Sequence, residues 1–111
     1  MQIHGKKIGE ILVVKPFEKR IDASLSTDLK GRMVDWINNG NKRIVLDLSE
    51  VEFLDSSGLG AIVSSLKTIG NEGYLVICGM NETVKNLFHL TRIDRVFQIF
   101  LSEEEAIKSI T

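Results

Sequence analysis

Arg43 to Gly70 reads RIVLDLSEVEFLDSSGLGAIVSSLKTIG, and the fold follows from how this stretch is divided. Ile44-Val45-Leu46-Asp47-Leu48 is a short, partly β-branched apolar run of the length a buried strand has. After a polar break, Val51 to Leu54 carries the chain to Asp55-Ser56-Ser57. From Leu59 the period changes. Leu59, Ile62, Val63, Leu66 and Ile69 recur at the spacing of one α-helical stripe. Asp55 and Ser56 offer the short acceptors a helix start needs, and Gly70 offers a stop. The stretch is a strand, a loop and a helix, with a serine pair at the helix mouth.

Helix phase separates the two serines. At about 100° per residue the apolar stripe centres almost opposite Ser57. Ala61, Ser64 and Thr68 then share the outward face of Ser57, flanked by Gly60 and Ser65, with Lys67 near one edge. Ser56 turns towards Val63 and is the expected cap. A solvated helix face is normally written with Lys, Glu and Gln, the better helix formers. Ser, Gly and Thr give up that propensity, which reads as a surface for close approach with a reactive hydroxyl at its end.

On the N-terminal side, Gln2 to His4 and Ile11 to Val14 predict a hairpin closed by Pro16, which suits a strand end. Asp22-Ala23-Ser24 offers caps for a first helix, whose inner stripe is Leu25, Leu29, Met33 and Trp36. Asn38-Asn39-Gly40-Asn41 ends it. On the C-terminal side, Tyr74 to Cys78 is another buried-strand run, and a short helix follows with Val84, Leu87 and Phe88 inward. Val96 to Leu101 reads as a final strand. Ser102-Glu103-Glu104-Glu105 is a capping box whose acidic turn suits the helix dipole, and Ala106, Ile107 and Ile110 dock that last helix. Strands alternating with helices after a hairpin predict an α/β fold, a sheet of four or five strands with about four helices packed on it. Residues 1–111 are read as one domain.

Composition removes several classes of function. The 111 residues are 43% hydrophobic and 26% charged, as in an ordinary globule. Fourteen basic against fifteen acidic residues give a net charge of −1, which is no footprint for nucleic acid. No apolar run approaches the ~18 residues of a membrane span, and no signal peptide is visible. The single Cys78 excludes an internal disulfide and fits a reducing compartment, so the expected location is the cytoplasm. A serine hydrolase needs a base and an orienting acid, yet only His4 and His89 are available and no G-x-S-x-G elbow surrounds Ser57. In Gly58-Leu59-Gly60 the third glycine of a dinucleotide loop is replaced by Val63, and no phosphate loop or Cys/His metal cluster is present. The chain is expected to be no enzyme and to need neither metal nor cofactor.

Leu54-Asp55-Ser56-Ser57-Gly58-Leu59-Gly60, placed between a strand and a helix, resembles the signature of bacterial anti-anti-sigma factors, members of the STAS domains (sulfate transporter and anti-sigma factor antagonist). The similarity extends over roughly residues 10 to 110. It implies a STAS-like fold with a mixed sheet, and it implies a role. The unphosphorylated domain would bind an anti-sigma factor that is itself a serine kinase, which frees a sigma factor. That kinase would phosphorylate the second serine of the pair, here Ser57, using its own ATP, and a serine phosphatase would reverse the switch. Carried onto this chain, Asp55 resembles the acidic neighbour of the phosphosite, and Gly58 and Gly60 the glycines that keep the helix mouth open. Ile21-Asp22 resembles the hydrophobic-Asp pair of the docking surface, and Ser102-Glu103-Glu104-Glu105-Ala106 the start of the last helix. Ser56, Ala61 and Ser64 complete the expected contact face. Two positions depart from the pattern: Lys19-Arg20 stands where the family writes Gly-Glu, inverting charge on that surface, and Thr91-Arg92-Ile93 replaces Thr-Gly-Leu. The rival role on the same fold is that of an interaction module in another complex, such as a stress-sensing scaffold or a lipid-transport component.

Overall fold

The computed structural model describes residues 1–111, in the order β1 (Ile3–Ile8), β2 (Ile11–Pro16), β3 (Arg20–Ile21), α1 (Ala23–Asn38), β4 (Arg43–Asp47), β5 (Phe53–Leu54), α2 (Ser56–Ile69), β6 (Tyr74–Cys78), α3 (Glu82–Leu90), β7 (Ile99–Phe100) and α4 (Glu103–Ser109). Five strands form one mixed sheet in the order β1-β2-β4-β6-β7. The β1–β2 hairpin is antiparallel, and β2–β4, β4–β6 and β6–β7 are parallel. Central β4 is buried from Ile44 to Asp47, as a strand covered on both faces should be.

Alternation along the strands assigns the two faces. Leu12, Val14, Ile44, Leu46, Leu75 and Ile77 join the larger core, together with Leu29, Met33 and Ile37 of α1, Leu59, Ile62 and Ile69 of α2, and Val84 and Phe88 of α3. Ile11, Val13, Val45, Val76 and Cys78 face the other way and meet Ala106 and Ile110 of α4. Three helices thus lie on one face and a single short helix on the other. Trp36 packs against the larger core, across Gly5, where a Cβ atom would stand 2.8 Å from its ring.

The observed elements differ from the sequence reading in three places, each for a physical reason. First, β1 runs to Ile8 rather than ending at His4, because antiparallel pairing with β2 satisfies its backbone although most of its side chains are exposed. Second, the expected strand from Val96 to Leu101 shrinks to Ile99–Phe100. A 3₁₀ turn at Ile93–Arg95, entered through Arg92 at φ 61°, occupies the preceding residues, and Val96 and Leu101 are exposed at the sheet edge. Third, a small parallel ladder pairs Arg20 with Phe53 and Ile21 with Leu54, where the sequence reading has no strand. No helix is long and apolar enough to cross a membrane.

Candidate functional site

The small β3–β5 ladder builds the site. Because Ile21 lies beside Leu54 in parallel register, the next residue of each strand, Asp22 and Asp55, leaves the ladder side by side. Each aspartate caps the helix that follows. Asp22 accepts from the Ser24 backbone N–H at 3.0 Å and from the Ser24 hydroxyl at 2.6 Å. These bonds hold its carboxyl below the usual value. Asp55 Oδ1 accepts from the Gly58 N–H at 2.9 Å. The mouths of α1 and α2 are therefore set next to each other by two hydrogen-bonded residue pairs.

Asp55, and not Ser56, is the N-cap of α2. The helix begins one residue earlier than a Ser56 cap requires, which leaves Ser56 exposed in the first turn and Ser57 half-buried. Asp55→Ala is accordingly expected to cost about 0.5–2 kcal/mol, whereas Ser56→Ala should stay within about 0.5 kcal/mol of the parent. Urea melts of both variants check this.

The outward face of α2 is not free along its whole width. Ala61 and Ser65, read from phase as outward or flanking, are buried, and Ala61 joins the larger core. Helix α1 packs along α2, and small residues admit that approach. The buried Ser65 hydroxyl is satisfied by the Ala61 carbonyl at 2.8 Å. Of the apolar stripe, Leu59, Ile62 and Ile69 are buried, while Val63 and Leu66 are half-buried against the core. What remains open between the helices is a shallow groove of about 230 Å³. Ser57, Gly60, Ala61 and Ser64 line one side, and Ser26, Thr27 and Lys30 of α1 line the other.

The two glycines of the motif serve different ends. Gly58 is buried, and a Cβ there would stand 2.5 Å from the Ile21 carbonyl oxygen and 3.1 Å from Leu54 Cδ2. That same carbonyl accepts from the Asp55 N–H at 3.3 Å. Gly60 is exposed, and nothing lies within 4 Å of where its Cβ would be. Gly58 makes room for the ladder; Gly60 leaves the groove low.

Of the residues singled out from sequence, Ser57, Gly60, Ala61 and Ser64 converge on the groove. Ile21 is fully buried under the ladder and Gly58 is packed on it, so both position the site from within. Asp22 and Asp55 hold the two helix mouths, and Ser56 stands exposed beside them. Lys19-Arg20 approaches the site from β3, where the Arg20 guanidinium lies over the Phe53 ring at 4.4 Å. Sequence reasoning missed Ser26, Thr27 and Lys30. Their signal was Ser and Thr on the polar side of α1, where stronger helix formers are usual. No group of His, Cys, Asp and Glu side chains is arranged to hold a metal ion.

Comparison with known proteins agrees with this architecture. Residues 2–106 match the model of the STAS domain. A Thermotoga maritima protein provisionally named an anti-sigma factor antagonist is 36% identical over 106 residues, covering 95% of this chain and 94% of its own. The anti-sigma F factor antagonist of Paenibacillus polymyxa is 31% identical over 112 residues, covering 99% and 95%. The crystal structure of a Thermotoga maritima protein under the same provisional name superposes with a TM-score of 0.90 at 29% identity, over 97% of this chain and 93% of that one. The order of strands, the ladder that sets the two helix mouths, and the matched residues place this chain in the STAS domain family.

Proposed function

We propose that the chain is an anti-sigma factor antagonist. With Ser57 unmodified it binds an anti-sigma factor that is also a serine kinase, and so releases a sigma factor; phosphorylation of Ser57 ends that binding, and a serine phosphatase restores it. The observation that carries this reading is the groove beside Ser57, open at Gly60 and walled by Ser64, Ser26 and Thr27. A partner can approach such a surface closely, with the Ser57 hydroxyl at its edge. The Thermotoga and Paenibacillus relatives, both named as anti-sigma factor antagonists, support the same assignment.

The chain's own part in the transfer is that of an acceptor. Neither histidine is placed as a base for Ser57: the His4 ring lies tilted against Phe17, with centroids 4.8 Å apart, and His89 Nδ1 lies 3.2 Å from Asp94 Oδ2. ATP, the metal ion that accompanies it and the base that takes the hydroxyl proton belong to the kinase. What this chain supplies is a hydroxyl at the first turn of a 14-residue helix, where backbone N–H groups favour negative charge. The reaction partners are proteins in the cytoplasm, with no nucleic acid or membrane engaged by this domain.

The test is direct phosphate mapping. Incubated with its anti-sigma kinase and MgATP, the wild-type chain is expected to take up one phosphate on Ser57 and the Ser57→Ala variant none, read by intact-mass and fragment spectra. Labelling of Ser57→Ala at the wild-type rate, or no labelling of either, would overturn the proposal.

A further inference from the structure

The free edge of the main sheet at β7 carries a surface that the Ser57 groove does not use. Leu90, Leu101 and Val96 are 79%, 73% and 57% exposed, the three most exposed large apolar side chains of the chain. Leu90 ends α3, Val96 leads towards β7 and Leu101 follows it, so all three flank one strand. A sheet edge guarded against association is short and charged, and is not lined with leucine. β7 is short, but its flanks are apolar.

The segment between α3 and β7 is held firmly. The Arg92 N–H donates to the His89 carbonyl at 3.1 Å, the Arg95 N–H to the Arg92 carbonyl at 3.2 Å and the Val96 N–H to the Ile93 carbonyl at 3.0 Å. Its one carboxylate, Asp94, is taken up by His89 at 3.2 Å. Arg92 sits at φ 61°, the left-handed region, and no other non-glycine residue of the chain does so. Glycine adopts that backbone freely and arginine does not, so strain kept at this position points to a use for the side chain. Arg92 and Arg95 are both exposed, and neither makes an ion pair. At the far end of β7 the sign reverses. Leu101 runs into the Glu103-Glu104-Glu105 turn of α4, where the Glu104 carboxylate is exposed and unpaired.

The edge is therefore basic where the chain enters β7, apolar along its length and acidic where the chain leaves. A two-fold axis through such an edge sets each end against its opposite. We propose that the β7 edge is a self-complementary interface, on which a second copy of this chain pairs its own β7 antiparallel to the first. This interface is independent of the phosphorylation reading, and the groove between α1 and α2 stays outside it.

Backbone geometry supplies the register. The Gln98 and Phe100 carbonyls already accept from the Ile77 N–H at 3.0 Å and the Gly79 N–H at 3.3 Å, so by alternation the backbone of Ile99 faces the open edge. The Leu101 N–H beyond it is taken by Glu105 Oε2 at 3.4 Å, which confines new pairing to the centre of the strand. With Ile99 opposite its own counterpart, the chain on either side carries Leu101 towards Val96, and the Glu103–Glu105 turn towards Arg92 and Arg95. Charge selects this occupant over others. An anionic membrane would meet the acidic turn along with the arginines, and an acidic protein would leave that turn unmatched. A second copy answers both ends.

Sedimentation equilibrium of the full chain, from about 10 µM to about 1 mM, tests the interface. The weight-average mass should rise with concentration from 12.4 kDa towards twice that, and less steeply in high salt. Arg95→Glu and Glu104→Arg should each weaken association by about tenfold or more, and the double variant, which restores opposite charges across the two-fold, should recover to within about threefold of the parent. Leu101→Ser should also weaken it, and the Ile99 amide should exchange more slowly as concentration rises, while melts confirm that each variant is folded. A chain that stays monomeric up to the highest concentration overturns the proposal and leaves the edge to a different partner. A dimer that forms equally well in Arg95→Glu, Glu104→Arg and Leu101→Ser overturns it by placing the contact elsewhere.

Discussion

Gly58→Ala is expected to lower stability by about 1–3 kcal/mol or more, while Gly60→Ala is expected to leave the fold intact and raise its stability by about 0.5–1 kcal/mol. The contrast arises two residues apart on one helix. At position 58 the added methyl would meet the Ile21 carbonyl oxygen at 2.5 Å, a backbone atom that also accepts from the Asp55 N–H. Neither side can give way without parting β3 from β5, and that ladder is what sets the two helix mouths together. At position 60 the methyl would point into open space and remove only the entropic penalty of glycine in a helix. For a domain near this size each kcal/mol moves the melting temperature by about 4 °C. Thermal and urea melts of the two variants decide it, and a Gly58→Ala chain as stable as its parent would show that the ladder does not depend on that approach. If Gly60 serves docking, its alanine variant should bind the anti-sigma partner more weakly despite its sounder fold.

The strand-loop-helix unit from Arg43 to Gly70 was legible because its two periods are long enough to count. Ile44 to Leu46 is buried on both faces and reads as an unbroken apolar run, and the α2 stripe repeats through several turns. The ladder Arg20–Ile21 with Phe53–Leu54 was not legible, since two residues carry no period and their pairing joins segments more than thirty positions apart. Ala61 and Ser65 were misplaced for a related reason. A phase taken from bulky apolar residues marks the face turned to the sheet, but a helix that also packs beside another buries a second face. That face is lined with small residues, which look like surface. Ser57 was legible through the same phase argument and through its motif, whereas Lys30, one helix away, could be found only once α1 had been packed against α2.

Ser57→Asp is expected to fold as the parent does and to lose its anti-sigma partner. Phosphorylation adds about −1.5 to −2 charges at pH 7. Helix α2 can accept that charge, because its first-turn N–H groups and dipole favour an anion there, although Asp55 at the cap opposes it. Lys30 tips the balance toward tolerance. It lines the groove opposite Ser57 and has no ion-pair partner of its own, so a phosphate at Ser57 finds a cation across a space only about 230 Å³ in volume. The same pairing is what a partner must then confront. Occupied by a phosphate and drawn toward Lys30, the groove is no longer low, and a protein packed on it would bury the dianion or break its pairing. A loss of about 3 kcal/mol of association weakens a complex more than a hundredfold. Aspartate carries less charge than phosphate and reaches less far, so the effect of Ser57→Asp should be the smaller of the two while keeping its sign. Ser57→Ala should bind as the parent does and resist being switched off. Calorimetric titration of each variant, and of the stoichiometrically phosphorylated chain, against the anti-sigma kinase reads the affinities, with melts alongside to establish folding. Binding by the well-folded phosphorylated chain within tenfold of the parent would mean that the groove beside Ser57 is not where the partner sits.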